Sequence, residues 1–227
     1  MYRQFPNMLT VLRLFLAGIF FLILNQFRFD SQTSHSPILI AAIVLFVLAA
    51  ITDALDGHLA RRWDVVSKFG RIMDPFCDKI LVVGAFIYLM GARFVIPERA
   101  ADGEFFNMAS GIYPWMVVVI LGRELLVTGI RGELEGDGIN FQANKWGKIK
   151  MILQAIVIPL VLLIVYLNPE HPSHSETYNW LLATCRDILV YATVIATVVS
   201  GLPYITSAIN LVKKTTEPTT PPSSPND

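Results

Sequence analysis

Apolar residues gather along this chain in long runs separated by short polar stretches. Six runs, about Leu9–Leu24, Pro37–Leu55, Phe76–Ala92, Tyr113–Ile130, Ile149–Leu167 and Ile188–Leu211, approach the roughly 20 residues that a helix needs to cross a bilayer. At about 1.5 Å of rise per residue each is long enough, although the third is short and the first contains Arg13. The pattern predicts an all-α polytopic membrane protein with six transmembrane helices in one domain, residues 1–212. A Pro/Thr/Ser-rich tail, Lys213–Asp227, has the composition of a disordered segment.

The polar residues place the turns. Pro6-Asn7 opens the first helix, and Asp30–Pro37 is a short turn containing His35. Ala49-Ala50 gives the second helix a surface that permits close approach. Arg61–Gly70 reads as a connection or a helix end leaning out of the membrane, with Pro75 in the first turn of the third helix. Val95–Gly111 and Asn168–Asp187 read as outer loops, the first with Phe105-Phe106 resting on the interface. Arg131–Lys150 reads as a large inner loop, glycine-rich early and basic late. No internal repeat is evident, which counts against a transporter built from duplicated halves.

Composition sharpens this picture. Apolar residues make up 54% of the chain and charged ones 16%, with mean hydropathy +0.53, which excludes a disordered chain and disfavours a soluble domain. Net charge is zero, so no nucleic-acid partner is implied, but the cations are unevenly placed. With the N-terminus inside, Arg3, Arg61, Arg62, Lys68, Arg71, Arg131, Lys145, Lys148, Lys150, Lys213 and Lys214 flank the inner side. Arg28, Arg93, Arg99 and Arg186 flank the outer one. This bias puts both termini on the cytoplasmic side. The first run is long for a signal sequence and ends in Asn25-Gln26-Phe27-Arg28 rather than in small residues; with no transit-like leader, a bacterial inner membrane is the expected location. Cys77 and Cys185 fall near opposite faces, too far apart to bridge.

Against this oily background stand two pairs of aspartates, Asp53 with Asp56 and Asp74 with Asp78. An aspartate at the centre of a membrane helix costs about 2.5–3.5 kcal/mol on insertion scales, so something must compensate. Residues three and four apart share a helix face, and an intervening turn lets the two pairs meet. Oxygen-only ligands select hard cations such as Mg²⁺ or Mn²⁺, and two divalent ions would balance four carboxylates. Gly57, Ala60 and Gly70 lie between the pairs, where a small residue lets a phosphate or ribose approach the backbone. The alternative is a set of solvated helix-end charges balanced by Arg61, Arg62 and Arg71.

The whole pattern, Asp-x2-Asp-Gly-x2-Ala-Arg-x8-Gly-x3-Asp-x3-Asp from Asp53 to Asp78, resembles the signature of the CDP-alcohol phosphatidyltransferase family at every fixed position. The resemblance implies a six-helix membrane fold, commonly a homodimer, around a polar cavity open to the cytoplasm. It implies transfer of a phosphatidyl group from a CDP-lipid to an alcohol, with release of CMP. It further implies that Asp53 and Asp74 bridge two metal ions, that Asp56 completes one and Asp78 the other, and that Asp78 takes the proton of the attacking hydroxyl. Gly57, Ala60, Arg61, Ser67 and Gly70 would line the CDP-lipid site, with Asn7 and Thr10 a less specific contact. No Ser-His-Asp or Cys-His arrangement points to a covalent intermediate, so direct attack is favoured.

The second half bears on the acceptor. Gly122-Arg123-Glu124-Leu125-Leu126-Val127-Thr128-Gly129-Ile130-Arg131, then Ala143-Asn144-Lys145-Trp146-Gly147-Lys148-Ile149-Lys150 and Gln154, resemble the phosphatidylglycerophosphate synthase branch of that family. With Pro6–Arg13 the likeness covers most of the chain between residues 6 and 154. It implies CDP-diacylglycerol and sn-glycerol 3-phosphate as substrates. Arg123 and Arg131, two turns apart, and Lys145 and Lys148, one turn apart, could form a phosphate cluster, arginine supplying a bidentate fork. Alternatively Arg131, Lys145, Lys148 and Lys150 anchor the interface, Glu124 is a counter-ion on another face from Arg123, and Gln154 is an interhelical contact.

Two other readings compete. A cardiolipin synthase of the same family would use phosphatidylglycerol as acceptor. A cation channel or transporter would distribute acids across the membrane, whereas these cluster at one end. His171 and His174 have metal-like spacing but lack further ligands and read as solvated loop residues.

Overall fold

The computed structural model describes residues 5–32, 35–63, 68–136, 145–168 and 170–216; the side chains of 5–7, 54, 56–63, 68–75, 78, 134–136, 145–146, 207 and 210–216 lie outside the description. Among the described residues there are helices and no strands. Six helices are long: α1 (Phe5–Leu24), α2 (Pro37–Trp63), α3 (Lys68–Leu89), α5 (Pro114–Gly136), α6 (Lys145–Tyr166) and α7 (Glu176–Thr216). A short α4 (Pro97–Ala101) follows a 3-10 turn at Ala92–Phe94. The centre of each apolar run falls within one long helix, because continuous apolar sequence satisfies its backbone polar groups internally only as helix.

The helix ends correct several expectations. α2 runs to Trp63 and α3 begins at Lys68, so Pro75 lies in the third turn of α3 rather than in its first. The Arg131–Lys150 segment is mostly helix: Arg131 to Gly136 continue α5, and Lys145 onward belong to α6. Asn168–Asp187 is a loop only up to Ser175, after which α7 begins at Glu176. Val95–Gly111 contains α4 and an antiparallel bridge between Val95 and Met108. In α3, α5, α6 and α7 polar residues with fair helix propensity extend an apolar helix beyond its run, and hydropathy alone does not mark where they stop. Lys213–Thr216 likewise continue α7, and 217–227 lie outside the described residues.

α1 packs against α2 and α3, α2 against α6, and α7 against α5 and α6. Small residues are buried on both α1 and α2: Ala17 on the first, Ala42 and Ala49 on the second. The core between the helices is aromatic and aliphatic, with Phe20, Phe46, Phe86, Leu24 and Met116 fully buried. The outward face is just as apolar. Phe15, Val118, Leu125, Trp180, Ile188 and Ile195 are each more than 60% exposed, a surface suited to lipid rather than water. Gly147–Tyr166 and Glu176–Thr206 are, among the described residues, the two helices long and apolar enough by themselves to cross a membrane. At about 1.5 Å per residue the 41 residues of α7 outrun a hydrocarbon layer of about 30 Å.

The end away from the aspartate pairs is tied by its loops. Asn168 donates through Nδ2 to the carbonyls of Asp30 and Ser31 at 3.2 Å each. Arg99 forks onto both oxygens of Glu170 at 3.1 and 3.0 Å. Ser31 donates to Glu98 at 2.6 Å, which together with a backbone hydrogen bond holds that exposed carboxyl below its usual range. Phe105 and Phe106 are exposed and pack edge-on to each other beside Tyr113. Cys77 is buried, Cys185 exposed, and both are free thiols.

Gly111 closes this cap in the left-handed region, φ +67°, and a Cβ there would lie 2.7 Å from Arg186 Nε and from Asp187 Oδ1. Gly103 has φ +73° but nothing near it. Both positions need glycine for conformation; only Gly111 needs it for space. Gly103→Ala should therefore cost about 1–2 kcal/mol. Gly111→Ala should cost more and lower the thermal midpoint in detergent further, as read by tryptophan fluorescence.

Candidate active site

α2 carries Asp53, Asp56, Gly57, Ala60 and Arg61, and α3 carries Gly70, Asp74 and Asp78. Each aspartate pair thus sits on one helix, at the three- and four-residue spacings that put carboxylates on one face. Ser67 lies outside the described residues, as do the side chains of Asn7, Asp56, Gly57, Ala60, Arg61, Gly70, Asp74, Asp78 and Lys145.

Asp53 is described, and it has a partner that its motif does not contain. Arg13, from the apolar run of α1, reaches it with Nη2 2.7 Å from Oδ1. The arginine is 1% exposed and the carboxylate 41%. Thr10, three residues before Arg13, is also buried. The sequence marks Arg13 as an oddity in an oily helix and as the end of the Pro6–Arg13 stretch, but assigns it no partner. The cost of burying a guanidinium is the signal that such a partner had to exist. All-oxygen donors from Asp53 and the other aspartates suit a hard divalent cation; among the described residues no group of three or more ligating side chains occurs.

The second polar cluster joins α5, α6 and α7. Glu124 Oε1 accepts from Arg123 Nη1 at 3.2 Å and also from Lys150 Nζ. Arg123 Nη2 donates to the Ser200 carbonyl of α7 at 3.3 Å. Neighbouring residues on a helix diverge by about 100°, which suggests that Arg123 and Glu124 point apart; instead the long arginine bends back onto its neighbour. Lys150 turns inward and is buried rather than anchoring the interface. Arg131 and Lys148 are exposed. Gln154 makes its expected interhelical contact, donating to Thr197 Oγ1 of α7 at 3.3 Å.

A third tie joins the two regions. Lys79, the residue after Asp78, donates to Thr128 Oγ1, and Thr128 donates to the Glu124 carbonyl at 2.7 Å. The helix bearing Asp74 and Asp78 is therefore bonded to α5 one turn from the Arg123–Glu124–Lys150 cluster.

A cavity of about 260 Å³ lies at the opposite end, lined by Arg99, Phe106, Tyr113, Arg186, Asp187 and Tyr191. Its arginines are already engaged, Arg186 with Asp187 and the Ala109 carbonyl and Arg99 with Glu170. None of the four signature aspartates is among its lining residues. His171 and His174 pack ring against ring at 5.2 Å.

Apolar outward surfaces, two long apolar helices and ion pairs that join one helix to another are the features of a helical membrane protein. The chain belongs to the CDP-alcohol phosphatidyltransferase family, whose model matches residues 3–203. It is similar to the CDP-diacylglycerol–glycerol-3-phosphate 3-phosphatidyltransferase of Bacillus subtilis (strain 168), 33% identical over 204 residues, covering 88% of this chain and 92% of that protein. A protein of the same name from Mycoplasma pneumoniae is 31% identical over 191 residues, covering 78% and 77%. A probable phosphatidylglycerophosphate synthase of Mycobacterium tuberculosis (strain H37Rv) is 30% identical over 203 residues, covering 89% and 80%.

The Arg13–Asp53 contact has a measurable consequence. Arg13→Met removes the buried partner of a carboxylate that is itself partly solvated, so the loss should be about 1–3 kcal/mol. Thermal unfolding in detergent and chelator should show it. Arg13→Lys should fall between, since lysine keeps the charge but not the fork.

Proposed function

We propose that this protein transfers the phosphatidyl group of CDP-diacylglycerol to sn-glycerol 3-phosphate, releasing CMP and forming phosphatidylglycerophosphate. The observation that carries this reading is the unbroken aspartate signature, placed on two consecutive helices of a chain whose named relatives are similar over nearly its whole length. The six long helices would each span the membrane, with both termini and the aspartates on the cytoplasmic side, in a bacterial inner membrane and as a homodimer.

In this reading Asp53, Asp56, Asp74 and Asp78 hold two divalent ions, Mg²⁺ or Mn²⁺. Bound there, such ions supply electrostatic stabilisation for the charge that develops on the CMP leaving group. Asn7, Thr10, Gly57, Ala60, Arg61, Ser67 and Gly70 line the CDP-lipid site. Asp78 accepts the proton of the glycerol hydroxyl. That oxygen forms a bond to the phosphorus bearing the diacylglycerol as the bond from phosphorus to the CMP oxygen breaks. Arg123, Arg131, Lys145 and Lys148 bind the acceptor's phosphate, which the Lys79–Thr128 tie supports by keeping α5 beside α3.

Purified protein given CDP-diacylglycerol and Mg²⁺ should release CMP with glycerol 3-phosphate and not with phosphatidylglycerol; the reverse preference would indicate a cardiolipin synthase, and no CMP with any alcohol would refute the reading. Chelation should abolish turnover and added Mg²⁺ or Mn²⁺ restore it. Asp78→Asn should lower kcat by about 10²–10⁴-fold while leaving CDP-diacylglycerol binding measurable. Arg123→Ala should raise KM for glycerol 3-phosphate by about 10- to 100-fold, the worth of a charged hydrogen bond, with little change for CDP-diacylglycerol.

A further inference from the structure

Glu124 and Lys150 have no part in the chemistry above, yet both are buried in the bundle beside Arg123. We infer that Glu124 is a positioning residue: it fixes Arg123, with Lys150 as its anchor, in the orientation that receives the acceptor's phosphate. The inference rests on the proposed acceptor site.

The geometry restrains Arg123 on three sides. Glu124 Oε1 holds Nη1, the Ser200 carbonyl holds Nη2, and Gly201 leaves room for the arginine stem. A Cβ on Gly201 would stand 3.3 Å from Arg123 Cγ. An arginine free of these restraints would lose side-chain rotamer freedom on gripping a ligand, and that loss weakens binding. Glu124 is itself pinned, because the same Oε1 accepts from Lys150, whose side chain is 5% exposed.

Charge supports the same conclusion. Two cations share one carboxylate oxygen, so the trio carries a net positive charge in a place nearly closed to water. Lys79 adds a further cation one turn away through Thr128. A site that only joined three helices would be served as well by apolar side chains, since buried ion pairs often add nothing to stability over a well-packed apolar replacement. What the cluster adds is a fixed guanidinium and a positive field suited to a phosphate dianion.

The test compares the wild type, Glu124→Gln and the double variant Glu124→Gln/Lys150→Gln. The single variant leaves Lys150 charged and buried without its carboxylate, and is expected to lose thermal stability. The double variant removes both charges and should recover it. In the folded double variant KM for glycerol 3-phosphate should remain raised by about 10-fold or more, equivalent to ~1.4 kcal/mol. KM for CDP-diacylglycerol should stay within about twofold, a change of under half a kcal/mol. A merely structural cluster predicts that stability and both KM values recover together, and that result, or an equal rise in both KM values, overturns the inference. Failure of the wild type itself to use glycerol 3-phosphate would instead refute the proposed acceptor, and so separates the two.

Discussion

A charge placed between apolar helices has to find a partner, and three such meetings stand out among the described residues. Arg13 of α1 reaches Asp53 of α2, Glu124 of α5 gathers Arg123 and Lys150, and Arg186 of α7 bonds Asp187 and the Ala109 carbonyl. Removing one partner of a buried ion pair costs several kcal/mol because a charge is stranded. Packing of apolar side chains is more forgiving of small shifts. The contacts that cross between helices, Arg13 to Asp53, Lys150 to Glu124 and Arg123 to the Ser200 carbonyl, favour one alignment of the bundle, while Phe20, Phe46, Phe86 and their neighbours fill the space between.

The two ends of the bundle are built differently. At one end, Asn168, Arg99 and Ser31 bind the loops to one another, and Gly111 admits the tight turn beneath Arg186. That end resembles a closed cap. The other gathers the aspartate-bearing parts of α2 and α3, the tie from Lys79 to Thr128 and the Glu124 cluster. The loop end thus closes on itself through hydrogen bonds and the Arg99–Glu170 and Arg186–Asp187 pairs, whereas the ionic groups of the other end lie along α2, α3, α5 and α6.

Much of this was legible in the chain. The apolar runs located the six long helices because continuous oil has one stable form in a membrane. The aspartate spacings placed each pair on one helix, and Gln154 was recognisable as an interhelical contact. Helix ends were not legible: Arg131–Gly136 is polar and Glu176–Asp187 mixes polar with apolar residues, and polarity marks exposure rather than loop. Ionic partners were hidden as well. Arg13 and Asp53 are distant in sequence, as are Glu124 and Lys150, and only the packing of α1 on α2 and of α6 beside α5 and α7 brings them together. Lys150 reads as one more basic interface residue until its burial is known.

The most direct measurement is the binding of Mn²⁺ to purified protein in the presence of CDP-diacylglycerol, followed by electron paramagnetic resonance. A site made by aspartates on α2 and α3 predicts about two ions per chain, with binding weakened by Asp53→Asn or Asp74→Asn in protein that remains folded. Undiminished Mn²⁺ binding in those variants, or none in the wild type, would contradict it.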